Sequence, residues 1–206
     1  MNHAVLDFIS SIVDPADVTD KSVLEVGALD VNGSARSVLS TMAPAAYLGV
    51  DMQEGRGVDR VLTVSFLTDL LGAEAFDLVV STEMLEHVQD WRWAVSQLKR
   101  AVKPGGRLLV TTRSPGFYYH GYPHDFWRFT EADFRRIFSD MTDVVIASDP
   151  SEPGVFVYAR RPLDFTELDL TSIVPATCPD PPLGSLKKHI MVTLRSRLRR
   201  LKRRLN

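Results

Sequence analysis

The sequence predicts one doubly wound α/β domain with a seven-stranded, mostly parallel sheet and helices on both faces. Short apolar stretches alternate with segments of helical periodicity, which indicates right-handed β-α-β crossovers. The stretch 76–81 is almost entirely apolar, as expected for a strand buried on both faces. A short turn at Pro153-Gly154 predicts that the last pair of strands is antiparallel.

The elements follow in order along the chain. An amphipathic helix is predicted at the start, with apolar residues from Val5 to Val13, closing near Asp14-Pro15. Strands are predicted at 22–26, 47–51, 58–64, 76–81, 107–112, 143–148 and 155–160. Helices are predicted at 33–42, at 91–102, and from a capping pattern at Thr130 and Asp133 to Phe138.

Charge and composition divide the chain into three parts. We expect a globular, catalytic domain at 1–160, a proline-rich linker or surface wrap at 161–184, and a basic amphipathic helix at 185–206. From Lys187 onward there are nine basic and no acidic residues, whereas 15 basic and 26 acidic residues precede it. The tail therefore suits an anionic membrane surface, a protein partner, or the acidic surface of its own domain.

The cysteine content, the apolar segments and the charge distribution indicate the cellular compartment and the kinds of binding partner to expect. Cys178 is the single cysteine, which excludes an intramolecular disulfide and favours a reducing, cytoplasmic setting. We expect no signal peptide and no membrane-spanning segment, although the basic helix would allow association with a membrane. The acidic body and the lack of aromatic residues in the tail argue against binding of nucleic acid.

The segment 23–34 has the form of a buried strand that opens into a glycine-containing turn before a helix. Such a turn exposes backbone N–H groups, and a glycine lets a ligand approach the backbone closely. Because the second strand also ends in an acidic residue, Asp51, the carboxyl ends of the strands are expected to bind a nucleotide-like ligand.

Four blocks at 23–27, 49–51, 76–88 and 98–108 together resemble the class I S-adenosylmethionine-dependent methyltransferases. The sequence is most similar to their small-molecule branch, often called type 11, and the resemblance covers about residues 20 to 160. It implies a Rossmann-like fold, S-adenosylmethionine as the cofactor, and methylation of a small molecule or saccharide, most often at oxygen.

The resemblance implies a set of cofactor-binding positions. Glu25 and Gly27 would frame the methionine end, Asp51 would accept the ribose hydroxyls, and Met52 would pack on the adenine. Leu29 and Val31 replace two glycines that the family usually has in this turn, and the next glycine is Gly33. The full predicted set is Glu25, Gly27, Gly33, Asp51, Met52, Ser65, Phe66, Ser81 and Glu83.

The loop 113–129, rich in aromatic residues and histidine, is expected to cover the acceptor side of the site. A hydroxyl acceptor needs a general base, and imidazole titrates near neutral pH, so the predicted catalytic residues are His124, His87 and Asp125. Each histidine could instead be held structurally, by a backbone group or by Asp125. The predicted acceptor-binding residues are His120, Tyr118, Arg128 and Trp127.

Three alternatives stay open at this point. A metal site built from His87, His120, His124, Asp125 and Glu83 lacks a diagnostic ligand spacing, so no metal is predicted. A nicotinamide-dependent dehydrogenase of similar fold would also place an acid after the second strand, although the glycine spacing does not suit a dinucleotide. The third alternative is a catalytically idle, cofactor-binding domain that recruits a partner through its basic tail.

Overall fold

A computed structural model describes residues 2–121 and 124–178, which form a seven-stranded sheet with the strand order β3-β2-β1-β4-β5-β8-β7. Strands β1 to β5 pair in parallel, and β8 runs antiparallel to both β5 and β7. The predicted fold class is therefore confirmed. The strands are β1 (Ser22–Val26), β2 (Ala46–Asp51), β3 (Arg60–Val61), β4 (Phe76–Thr82), β5 (Val102–Arg113), β7 (Thr142–Ser148) and β8 (Gly154–Arg160).

A separate two-stranded ribbon, which the sequence did not predict, joins the acceptor-side loop to the end of the described chain. It consists of β6 (Trp127–Arg128) and β9 (Ala176–Thr177), paired antiparallel. Two predicted strand ends also differ. The third strand is only two residues long, and β5 begins at Val102, where the register with β4 shifts before regular pairing resumes at Arg107.

In the described part of the chain, five α-helices surround the sheet: α1 (His3–Ile12), α2 (Arg36–Leu39), α3 (Leu67–Leu71), α4 (Trp91–Ala101) and α5 (Glu131–Ile137). The predicted helix at 33–42 is wrong in length, because α2 is one turn long and passes into a 3₁₀ turn at Ser40–Met42. The capping pattern of α5 is confirmed, since Thr130 and Asp133 each accept the other's backbone N–H.

Two apolar cores lie on opposite faces of the sheet, as the alternation of strand side chains requires. On one face, α4 and α5 bury Trp91, Leu98 and Phe134 against a first set of strand residues: Leu24, Val79, Leu108 and Val157. On the other face, α1 buries Val5 and Ile9 against a second set: Val23, Leu78, Leu109 and Phe156. Helices therefore cover both faces of the sheet, and the carboxyl ends of its parallel strands lie together at one edge.

Asp77 joins three strands at the opposite edge of the sheet. Its carboxylate accepts from the backbone N–H and the hydroxyl of Ser22 at 2.9 and 2.6 Å, and from Lys103 Nζ at 2.8 Å. Although burial alone raises the pKa of Asp77, the hydrogen bonds from Lys103 and Ser22 lower it to about 2.

The segment 162–178 packs on the domain. Leu170 and Ile173 are buried, and the Arg92 guanidinium donates to both of their carbonyls, at 3.0 Å to that of Leu170. The division at 160 and 184 stays a prediction, and the predicted basic helix at 185–206 lies outside the described residues. Within 2–121 and 124–178, the helices are too short or too polar to cross a bilayer.

Candidate active site

The carboxyl ends of β1, β2, β4 and β5 bring most of the predicted site residues to one edge of the sheet. Gly27 follows β1 with φ +84°, and its N–H donates to the Val50 carbonyl at 2.9 Å. A Cβ at this position would lie 2.9 Å from Met84 Cβ. Glycine is therefore required here both by backbone conformation and by the closeness of the segment after β4.

Asp51 lies at the end of β2 and is hydrogen-bonded to the turn after β1. Its Oδ2 accepts from Leu29 N–H at 3.2 Å, and its Oδ1 accepts from Gln53 N–H at 2.9 Å. Each carboxylate oxygen can accept a second hydrogen bond, so the side chain retains capacity for a ligand hydroxyl. The neighbouring Met52 is 60% exposed, which leaves its thioether accessible to a ligand.

The turn 28–34 is closed by Asp30 rather than by further glycines. Asp30 Oδ1 accepts from Gly33 N–H at 2.8 Å, and Oδ2 pairs with the Arg56 guanidinium at 3.0 Å. Gly33 has φ +120°, a conformation that an L-residue rarely adopts. Leu29 and Val31 are thus accommodated in a loop that side-chain hydrogen bonds hold in shape.

Glu25 is a buried acid near the end of β1, and its hydrogen bonds lie within the protein. Its carboxylate is buried and accepts from Ser34 Oγ at 3.0 Å, from Ala35 N–H at 3.1 Å, and from Tyr47 Oη at 2.7 Å. Burial raises the pKa of Glu25, and these hydrogen bonds oppose that rise. The carboxylate holds the backbone before α2, and its predicted contact with the cofactor ammonium, directly or through water, stays a prediction.

The two residues predicted at the adenine edge lie in the 3₁₀ turn Val64–Phe66 that follows β3. The Ser65 carbonyl accepts from Trp93 Nε1 at 2.9 Å, which ties this turn to the start of α4. Phe66 is 55% exposed and Trp93 is 41% exposed. Exposed aromatic side chains beside β2 and β3 are compatible with packing against an aromatic base. The adenine-binding roles of Ser65 and Phe66 stay predictions.

Glu83, directly after β4, has the left-handed backbone conformation at φ +54°. Its N–H donates to the Thr111 carbonyl at 3.0 Å, its Oε1 accepts from Thr111 Oγ1 at 3.0 Å, and its carboxylate pairs with Arg113. Burial and the nearby Glu86 raise the pKa of Glu83, whereas Arg113 opposes this rise. Such backbone strain costs about 1 to 3 kcal/mol and is concentrated at functional sites.

Ser81, predicted beside Glu83, is fully buried within β4. Its hydroxyl has no hydrogen-bond partner among residues 2–121 and 124–178. The side chain lies one position before Thr82, the last residue of the strand. Its predicted cofactor contact stays a prediction.

Three side chains converge just beyond Glu83 and form what we call the Glu86 cluster: Glu86, His87 and His120. Glu86 lies in the 3₁₀ turn Leu85–His87, and its Oε2 accepts from Thr112 Oγ1 at 2.8 Å. Its Oε1 is buried, without a hydrogen-bond partner in the described part of the chain. This atom lies 3.8 Å from His87 Nε2 and 3.6 Å from His120 Nε2.

The other nitrogen of each imidazole in the cluster faces an oxygen acceptor. His87 Nδ1 is 2.5 Å from the His124 carbonyl, and His120 Nδ1 is 2.9 Å from Asp125 Oδ2. Burial alone would lower the pKa of His120, but the Asp125 and Glu86 carboxylates raise it to about 9. Both rings are therefore oriented with Nε2 toward Glu86.

Asp125, one of the predicted catalytic residues, pairs with His120 and Arg128. The Arg128 guanidinium binds both Asp125 oxygens, at 2.5 and 2.8 Å, and these interactions hold the pKa of Asp125 well below its ordinary value. The ring of His124 is exposed and packs 5.5 Å from Phe126. Asp125 is thus a positioning residue for His120.

Arg128 has a structural environment that does not match the predicted acceptor contact. It is 1% exposed, and besides Asp125 it donates to the carbonyls of Phe117, Tyr118 and Trp127. These contacts hold the two ends of the loop 113–129 together. We therefore correct its assignment from acceptor binding to loop closure.

The two remaining predicted acceptor contacts belong to the same loop. Trp127 Nε1 donates to the carbonyls of Val88 and Gln89, at 3.1 and 3.2 Å, so the indole joins the loop to the segment after β4. Tyr118 is 67% exposed and stacks on Phe117 with ring centroids 4.5 Å apart. Tyr118 is accessible to an acceptor, whereas Trp127 packs the loop.

Sequence reasoning did not assign a role to Glu86, Arg113 or Thr112. Arg113, at the end of β5, is buried and pairs with Glu83, while Thr112 holds Glu86. The two acids Glu83 and Glu86 stand three residues apart directly after a buried strand, and this spacing was a usable signal. Which of them is neutralised by Arg113 depends on the pairing of β4 with β5.

The comparisons with known proteins agree with this architecture. A family model described as a methyltransferase domain matches residues 1–140. A ubiquinone biosynthesis O-methyltransferase from Pseudomonas syringae pv. tomato is 32% identical over 126 residues, covering 53% of this chain and 53% of that protein. One of the same name from Idiomarina loihiensis is also 32% identical, covering 54% and 49%. The chain spans about half the length of the curated relatives it matches.

Solved structures share the fold at low identity. A Burkholderia thailandensis 1,6-didemethyltoxoflavin-N1-methyltransferase with bound S-adenosylhomocysteine has a TM-score of 0.59 and 16% identity. It covers 78% of this chain, and 80% of that chain is matched. An S-adenosylmethionine-dependent methyltransferase from Mesorhizobium loti has a TM-score of 0.57 and 16% identity, with coverages of 78% and 99%.

Proposed function

Because this chain belongs to the family of methyltransferase domains and uses S-adenosylmethionine, we propose that it methylates a hydroxyl oxygen of a small-molecule acceptor. The observation that carries the proposal is the Glu86 cluster, which lies beyond the end of β4 and contacts the backbone carbonyl of His124. Imidazole and carboxylate groups next to the methyl donor are what an alcohol or phenol acceptor needs, since it must lose a proton to react well.

The reaction is an in-line displacement at the sulfonium methyl group. A bond forms between the acceptor oxygen and the methyl carbon while the carbon–sulfur bond breaks, and its electron pair stays on sulfur in S-adenosylhomocysteine. Because the leaving group is a neutral thioether that needs no protonation, the protein contributes mainly alignment and removal of the acceptor proton. We assign the proton to the exposed imidazole of His124, whose backbone carbonyl contacts His87 Nδ1.

The cofactor is proposed to lie across the carboxyl ends of β1, β2 and β4. The absence of a side chain at Gly27 lets the methionine portion of the cofactor approach the backbone. Asp51 accepts from the ribose hydroxyls and, at the same time, from the backbone N–H groups of Leu29 and Gln53. The exposed side chains of Met52 and Phe66 offer apolar surface for the adenine. The methyl group would then point toward Glu83 and the Glu86 cluster.

The names of the relatives support oxygen as the acceptor atom, because both matched proteins are described as O-methyltransferases. A saccharide hydroxyl remains within the proposal, since it requires the same chemistry. The family match does not support the nicotinamide-dependent dehydrogenase alternative. A catalytically idle domain that recruits a partner through its basic tail is an outcome of the test below.

The test combines a binding measurement with an acceptor screen. Calorimetry with S-adenosylhomocysteine establishes that the site is formed, and mass spectrometry then screens hydroxyl-containing acceptors for a methyl mass shift with S-adenosylmethionine. His124→Ala should lower the methylation rate by about 100-fold or more with unchanged S-adenosylhomocysteine affinity. The control is His3→Ala, at an exposed position on α1.

Three results would contradict the proposal. Cofactor binding without methylation of any hydroxyl acceptor would favour the idle domain. Methylation of amines alone would exclude oxygen as the acceptor atom. Full activity of His124→Ala would remove that imidazole as the proton acceptor.

A further inference from the structure

The Glu86 carboxylate lacks the kind of cationic partner that other buried acids of this region have. Glu83 pairs with Arg113, and Asp125 pairs with Arg128. Within residues 2–121 and 124–178, the ion-pair partners of Glu86 are the two imidazoles of its own cluster. A fully buried carboxylate is costly unless a cation compensates it, and in this cluster that charge can come from a protonated imidazole or from a bound ion.

The orientation of the three groups is that of a ligand set. Glu86 Oε2 is held by Thr112, His87 Nδ1 by the His124 carbonyl, and His120 Nδ1 faces Asp125. The opposite atoms face one another, with Glu86 Oε1 3.8 Å from His87 Nε2 and 3.6 Å from His120 Nε2. Metal-binding histidines characteristically have the other ring nitrogen fixed by a carbonyl or carboxylate, which sets the tautomer and the ring orientation.

The distances suit a small ion. Oxygen and nitrogen ligands about 2.1 Å from a metal ion lie about 3.4 Å apart at tetrahedral angles. The separations here are 3.6 and 3.8 Å, and one ligand atom from each of the three residues lies within 4.8 Å of the others. Coordination would require Glu86 to close by a few tenths of an ångström and the two imidazole nitrogens to approach each other by up to about 1.4 Å.

We propose that Glu86, His87 and His120 bind one divalent transition-metal ion, of the Zn²⁺ type, and that its open coordination position takes the acceptor hydroxyl. Two imidazoles and one carboxylate favour such an ion over Mg²⁺ or Ca²⁺, which prefer all-oxygen sets. The assignment of the open position rests on the proposed O-methyltransferase function, whereas the ligand set rests on the geometry alone.

Coordination would supply the activation that a hydroxyl acceptor requires. A bound metal ion strongly lowers the pKa of a coordinated oxygen, so the acceptor would react as an alkoxide or phenoxide. The proton passes to His124, the oxygen attacks the methyl carbon, and the carbon–sulfur electron pair stays on sulfur. No redox change occurs, which is consistent with an ion that keeps one oxidation state.

The experiment measures metal binding separately from methylation. The full chain is stripped with a chelator and titrated with ZnCl₂ by calorimetry, and with CoCl₂ by visible absorption, which reports the coordination of cobalt. Wild type and His3→Ala should bind one ion per chain. His87→Ala and Glu86→Gln should bind at least about 100-fold more weakly, since loss of an outer partner alone costs about 10- to 100-fold. Their S-adenosylhomocysteine affinity should be unchanged and shows that they are folded.

The outcomes separate this inference from the proposed function. Equal Zn²⁺ affinity in wild type, His87→Ala and Glu86→Gln would overturn the metal site, as would an absence of binding by the stripped wild type. Full methylation activity of the chelator-treated protein would overturn the role of the ion in activating the acceptor, while leaving the proposed function intact. Ligand-dependent metal binding without methylation of any hydroxyl would support the site and contradict the O-methyltransferase. If both ligand variants fail to fold, the Co²⁺ spectrum of wild type decides between imidazole coordination and none.

Discussion

Replacing Gly27 with alanine is expected to damage the site more than an ordinary glycine substitution would. The backbone at Gly27 has φ +84°, and the new Cβ would meet Met84 Cβ at 2.9 Å and Met84 Cγ at 3.0 Å. These are contacts with the root of a side chain, so a simple change of rotamer does not relieve them. The backbone after β1 or after β4 has to move.

The magnitude follows from two additive costs. A left-handed conformation of an L-residue costs about 1 to 2 kcal/mol, and overpacking of a close contact costs about 1 to 3 kcal/mol. Gly27→Ala should therefore lower the free energy of unfolding by about 2 to 5 kcal/mol. The matched control is Gly105→Ala, because Gly105 has φ +79° but its nearest neighbour, Leu163 Cδ2, is 3.6 Å away. This control should lose only about 1 to 2 kcal/mol.

Urea unfolding of both variants measures the difference directly, and calorimetry with S-adenosylhomocysteine measures its consequence for the ligand. Since Met84 precedes the turn that carries Glu86 and His87, Gly27→Ala should weaken cofactor binding and slow methylation even when the protein is folded. Equal stability of Gly27→Ala and Gly105→Ala, with unchanged cofactor affinity, would refute the close approach of the two segments.

Three further predictions test other parts of the account. Asp51→Ala should weaken S-adenosylhomocysteine binding by about 1 to 3 kcal/mol in calorimetry, because hydrogen bonds to a charged group are lost; unchanged affinity would remove Asp51 from the site. Asp77 should stabilise the fold above about pH 4, and this contribution should be lost as the pH falls toward its folded pKa of about 2. Since Asp77 is partly solvent-exposed, we expect about 1 kcal/mol, and urea titrations in which Asp77→Asn keeps the wild-type acid dependence would contradict it. Arg128→Ala should lower the free energy of unfolding by about 3 to 5 kcal/mol, because it removes the guanidinium that binds both oxygens of the buried Asp125, and a purely raised KM for the acceptor would restore Arg128 to substrate binding.

The sequence predicted the fold well because its main determinants are local. The apolar stretch of β4 and the periodicity of α4 each specify an element with little reference to the rest of the chain. The hairpin of β7 and β8 followed from a short turn at Pro153-Gly154. The errors at α2 and β3 occur where elements are short, because tertiary contacts then outweigh local pattern. At α2, for example, the buried carboxylate of Glu25 binds the preceding backbone.

The location of the site was also predictable, since parallel strands place their carboxyl ends at one edge. The individual partners were not. Asp125 could pair with His124, His120 or Arg128 on sequence distance alone, and the closed shape of the loop 113–129 selects the last two. Likewise, Glu83 and Glu86 look equivalent in sequence. The register of β4 with β5 places Arg113 against Glu83 and Thr112 against Glu86.

The most direct test of the account is a crystal structure of the full chain with bound S-adenosylhomocysteine. We expect the ribose hydroxyls to bind Asp51, the methionine portion to pass over Gly27, and the sulfur to lie beside Glu83 on the side of the Glu86 cluster. A ligand whose ribose is remote from Asp51, or whose sulfur faces away from Glu86, His87 and His120, would contradict it.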